Sequence, residues 1–189
     1  MKQSVPARRR SGDGPTSQSL LANPLDFISE DHLRERQICA VIDGLAMATT
    51  LDRQAALTVL RFLNEELNVY LRDEAEDLFP LLARRCTEED SIENTISRIR
   101  ADQDEVTRLL PLVRVTLAEY LDTGADLTAE GRTTLTEFAG RVRSHLVAAH
   151  AILRPIARAR LTQADLRLLS EHMRSRRGLP PIQETTNAE

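Results

Sequence analysis

The chain has no tryptophan, two tyrosines and four phenylalanines. With so few rings, Leu and Ala must supply the interior, which favours helices over sheets. Two cysteines, Cys39 and Cys86, are too few for a disulfide framework or a zinc cluster. Each lies in an apolar helical pattern and reads as a small buried hydrophobe. No run reaches the roughly 18 apolar residues of a membrane span. No apolar region near the start has the form of a secretory signal, so the expected location is cytoplasmic. Positive charge is short as well. The net charge is −4, although residues 1–23 carry Lys2, Arg8, Arg9 and Arg10 against Asp13. The remainder is therefore acidic, which argues against nucleic acid as a partner.

The 189 residues, 41% of them apolar, suffice for one domain with a sizeable core. Residues 1–23, rich in Ser, Gly, Pro and Arg without periodicity, read as a disordered basic tail. Four long helical patterns follow. The first runs from Pro24, with Asn23 as cap, to Thr49. The second runs from Asp52 to Cys86 with Pro80 inside it, and the third from Glu88 to Leu121 with Pro111 inside it. Both prolines predict kinks. The fourth spans Ala129 to Ala159, with Pro155 near its end. A short fifth helix covers Ala164 to Arg176, opened by Thr162 and Asp165 at capping-box spacing. The predicted fold is all-α: an antiparallel up-and-down four-helix bundle over residues 24–178 with a short fifth C-terminal helix. A loose tail over 179–189 completes it.

The sequence also repeats itself weakly. A shift of 75 residues sets Tyr70-Leu71 on His145-Leu146, Leu78 on Leu153 and Pro80 on Pro155. A shift of 71 sets Asp31-His32 on Asp102-Gln103. Two related helix pairs would offer polar groups to one centre.

The segment YLRDEAEDLFPLL, residues 70–82, places Asp73, Glu74, Glu76 and Asp77 directly before an apolar block. Tyr70 and Glu74, four apart, share a helix face. Glu74 follows the Leu67–Leu71 stripe inward, either as a metal ligand or as the ion-pair partner of an arginine. Asp73, Glu76 and Asp77 fall further round and are expected in water. Tyr70 reads as a phenolate ligand or as a packing residue. There are four histidines, His32, His145, His150 and His172. His172 is expected on the surface. A histidine on a buried face needs a hydrogen bond or a metal for its nitrogens. His145 and His150, five apart, lie about 140° apart on an ideal helix, so they could reach a core site only from two sides.

Taken in order, DFISEDHLRERQICAVIDGLA (26–46), YLRDEAEDLFPLLARRC (70–86), LTEFAGRVRSHLVAAHAILRPIARARLT (135–162) and LRLLSEHMRSRRG (166–178) resemble the hemerythrin-like, or HHE cation-binding, family. The resemblance covers most of the chain. It implies a four-helix bundle holding two irons between bridging carboxylates and histidines, and roles in binding oxygen or nitric oxide, in sensing, or in handling iron. Carried over by position, it makes His32, Glu74 and His145 metal ligands. It also marks three departures. Tyr70 stands for a histidine, Gln103 for another, and Ala149 for the second bridging glutamate. His150 has the spacing of an alternative last ligand.

With one secure bridge, His32, Glu74 and His145 match the number and type of a facial triad for a single ferrous ion, and Tyr70 and His150 could raise the count. The cofactor is then iron, mono- or dinuclear, or another cation such as zinc, or none. The expected function is a non-heme metal-binding protein with an altered centre, binding or sensing a gas or metal rather than catalysing turnover. The competing reading is a metal-free bundle acting in dimerisation or protein interaction. Fitting partners are a small gas ligand, a second copy of the chain or another protein, and not a membrane.

Overall fold

Helices account for nearly all of the computed structural model, which describes residues 14–50 and 52–181. A 3-10 turn, Gln18–Ala22, leads into α1 (Pro24–Met47). A second rod is built from α2 (Arg53–Glu65), α3 (Leu67–Arg72), a π-turn (Asp73–Leu78) and α4 (Phe79–Arg85). The third rod is α5 (Ile92–Thr123). The fourth comprises α6 (Ala129–Ala148), a π-turn (Ala149–Leu153) and α7 (Arg154–Arg160). A short α8 (Gln163–Arg176) closes the molecule.

Local chemistry sets most of the ends. The Asp52 side chain accepts from Ala55 N–H at 2.9 Å, and Thr128 accepts from Gly131 N–H at 3.0 Å; each satisfies one of a helix's orphan donors. The predicted capping box is formed, with Thr162 and Asp165 exchanging side-chain bonds to each other's backbone. Gly124 ends α5 at φ 66°, where a side chain would be strained. Gly131 is demanded by packing, since a Cβ there would come 2.9 Å from Thr116 Cγ2.

The prolines act unequally. Pro80 and Pro155 have no N–H to donate, and their rings crowd the carbonyls one turn back. The chain answers both times with a π-turn that ends two residues before the proline. Pro111 is carried inside α5 without such a turn.

Two apolar clusters fill the bundle, one around Ile42, Phe62, Val113 and Phe138, the other around Phe27, Phe79, Ile99 and Leu169. A polar layer separates them. Along α1 the order is Ile28 of the second cluster, then His32 and Glu35, then Ile38 of the first. Along the second rod it reverses: Tyr70, then Asp73 and Glu74, then Leu78. It reverses again on α5, through Ile99, Gln103 and Val106, and again on the fourth rod, through Val142, His145 and Ala148. Successive rods are therefore antiparallel, and all four present polar groups at one level.

Two expectations need correction outside this layer. The tail expected over residues 1–23 is ordered from the 3-10 turn onward, because Leu21 is fully buried and its carbonyl accepts from Ser170 Oγ. Residues 1–13 lie outside the described part, as do residues 182–189 of the expected C-terminal tail. Cys39 is buried as expected, but Cys86 is only partly so, at the C-cap of α4. Among the described residues no helix is long and apolar enough to cross a membrane.

Candidate metal centre

The polar layer is organised around Glu74. Its position in the π-turn carries it to the bundle axis, where it is 4% exposed. His32 of α1 places Nε2 3.0 Å from Glu74 Oε1. Gln103 of α5 donates its amide N–H to Glu74 Oε2 at 2.9 Å. His145 of α6 brings Nε2 to 2.7 Å from the same oxygen, yet out of line for a hydrogen bond, so that this nitrogen is buried without a hydrogen-bond partner. The two imidazoles stand edge to face with centroids 6.1 Å apart. One donor atom from each of His32, Glu74 and His145 lies within 4.8 Å of the other two.

The electrostatics follow from this packing. Burial works against a charged Glu74, but His145 and His32 beside it hold its carboxyl well below the usual carboxylate range. Burial would lower His145, but the Glu74 charge and contact outweigh it and raise the imidazole to about 9. Glu35 is pushed upward by complete burial, against the pull of His32 and His145.

The remaining sequence candidates lie elsewhere. The Tyr70 hydroxyl donates to Glu66 Oε2 at 2.9 Å, and Glu66 in turn pairs with the buried Arg34 at 3.5 Å. Burial and the neighbouring Asp31 and Glu66 raise the phenol, whose hydroxyl is engaged by Glu66. His150 is exposed and is not brought to the cluster; the 140° offset is not recovered, even though a π-turn begins at Ala149. Ala149 is buried and offers no donor at the point expected for a second bridge.

Asp73 and Asp77, expected in water, are buried at 1% and 7% exposure. The reason is α8, whose arginines close over the π-turn. Arg176 reaches Asp73, Glu76 and Asp77, while Arg177 pairs with Asp73 at 2.6 Å and Asp31 at 4.0 Å. Glu76 is half exposed, as expected. His172 is exposed too, and it meets Asp77 at 2.8 Å. Sequence reasoning missed this clamp because the pattern of the last helix does not show that it packs over residues 73–78. It also missed Glu35, for which a signal existed: Glu35 follows His32 by three residues and so shares its face.

Does this donor set fit a metal? Two imidazoles and a carboxylate suit a first-row divalent ion, and His145 Nε2, although 2.7 Å from Glu74 Oε2, is buried without a hydrogen bond. Ala149 supplies no second carboxylate bridge, and Gln103 turns its N–H, not its oxygen, toward Glu74.

The family model described as Hemerythrin HHE cation binding domain matches residues 23–157, well over half of the chain and all of the polar layer. Neither a curated protein nor a solved structure matches the chain significantly.

Proposed function

The chain belongs to the hemerythrin HHE cation-binding domain family, and from that premise we propose that it binds one transition-metal ion through His32, Glu74 and His145. Ferrous iron is the first choice and zinc the second. The observation that supports this most is the gathering of three donors within 4.8 Å, with a ring nitrogen of each imidazole, His32 Nδ1 and His145 Nε2, left without a hydrogen bond. A bound ferrous ion would supply open positions for a diatomic gas such as oxygen or nitric oxide. The residues of this chain would hold the ion, keep it dry and orient it. Apolar clusters on both sides exclude water, and Gln103 fixes one oxygen of Glu74. The role that follows is cytoplasmic binding or sensing of a gas or metal, not turnover.

The test is metal analysis and an absorption spectrum of protein purified from iron-supplemented cells. The expected result is about one ion per chain together with a metal-dependent rise in melting temperature. Well-folded protein that carries less than about 0.1 ion per chain and gains no stability from added iron or zinc would overturn the proposal. That outcome would favour the metal-free bundle, in which Glu74 simply accepts from His32 and Gln103.

A further inference from the structure

We infer that Glu35 is a fourth protein ligand, so that the centre is a two-histidine, two-carboxylate site for a single divalent cation. This rests on the reading that the cluster holds a cation at all. Glu35 is one helical turn from His32 on the same face of α1. It is 4% exposed. Among the described residues its carboxylate has no hydrogen bond or ion pair, and the groups it faces are His32, His145, Glu74, Asp31 and Cys39. Arg34, the adjacent cation on α1, is turned to Glu66 instead. A carboxylate this little exposed and without a paired cation is costly to keep charged, and a nearby cation lowers that cost.

Charge balance points the same way. Within the ligand set alone, two neutral imidazoles and Glu74 balance only one of a divalent ion's two positive charges, with Asp31 and Asp102 as further buried carboxylates nearby. An unbalanced charge is heavily penalised in a dry interior. Glu35 cancels it. The negative charge that Ala149 does not provide from the fourth rod is thus provided from α1. The ligand class is a divalent cation, since a ferric ion would again leave an excess charge.

The experiment is titration of the metal-stripped full chain with Co²⁺, following the ligand-field absorption bands and the stoichiometry. The wild type should bind one Co²⁺ per chain. Glu35→Gln should bind about tenfold more weakly or worse, with displaced bands. In chelator, its melting temperature should equal or exceed that of the wild type, because a purely structural role predicts the reverse. Glu35→Asp keeps the charge and should fall between the two, which preserves the test if the amide fails to fold. Unchanged affinity and bands in Glu35→Gln would overturn the assignment while leaving the three-donor site intact. A wild type that takes up no Co²⁺ would overturn both.

Discussion

Replacing Glu74 with glutamine keeps the shape of the central side chain and removes its charge. Because His145 is raised from an ordinary 6.5 to about 9, the protonated imidazole is stabilised by the fold, and Glu74 is the main source of that stabilisation. A displacement of that size corresponds to about 3 kcal/mol. A raised pKa gives stability that is complete below the ordinary value and is lost as pH rises through the folded one. The contribution should therefore be full near pH 6, about 2.5 kcal/mol at pH 7, and close to nothing at pH 10. Glu74's own depression counts the same contact together with that of His32, so it is not added. It does set the lower edge, because its share is lost as pH falls below the ordinary carboxylate value of 4.5. The assay is urea unfolding of wild type and Glu74→Gln in chelator, followed by far-ultraviolet circular dichroism since there is no tryptophan. The variant should be less stable by about 2–3 kcal/mol at pH 6–7 and should converge on the wild type at pH 10. A difference that is equal at both ends, or below about 1 kcal/mol throughout, would refute the coupling.

Arg177→Ala removes one of two guanidinium groups from the buried Asp73 and the only cation recorded against Asp31 among the described residues. With Arg176 still in place, urea unfolding should show a loss of about 2–4 kcal/mol, most of it from the carboxylates left behind. Gln103→His sets an imidazole beside Glu74 in place of an amide donor. Isothermal titration with Zn²⁺ should show about a tenfold gain in affinity and a stoichiometry still near one, because Ala149 continues to withhold the second carboxylate.

The bundle was legible because Leu and Ala stripes at helical spacing, the Thr162–Asp165 capping box and short turns all specified the same elements. The three central donors were legible because each interrupts an apolar stripe, and the resemblance placed them in one layer. What the stripes could not give is depth. Asp73 and Asp77 look like the wet flank of a helix until a fifth helix brings Arg176 and Arg177 over them. An amphipathic pattern records what a helix packs on within the bundle and does not anticipate a charged lid. His150 shows the converse limit, since its family-like spacing says nothing about which way the π-turn rotates it. Glu35 was overlooked among the surface charges of α1, although its register with His32 was there to be used.

The two π-turns set the shape of the centre whether or not their inward positions carry carboxylates. Glu74 is the second residue of one π-turn and Ala149 the first of the other, and the two correspond under the 75-residue repeat. Neither turn depends on the acid. Each accommodates a proline two residues beyond its end, so each persists whether the inward position carries a carboxylate or a methyl group. Backbone geometry and metal chemistry are therefore separable in this fold. The π-turn at Ala149 is present before Pro155 without a ligand there, and His145, one turn earlier, is placed against Glu74. An anionic group gained on a different helix at the same level is then enough to restore charge balance, with no change in topology. Glu35 is at that level, between the apolar clusters and one turn from His32, so the altered centre is better understood as a redistribution of charge from the fourth rod to the first than as a partial erasure.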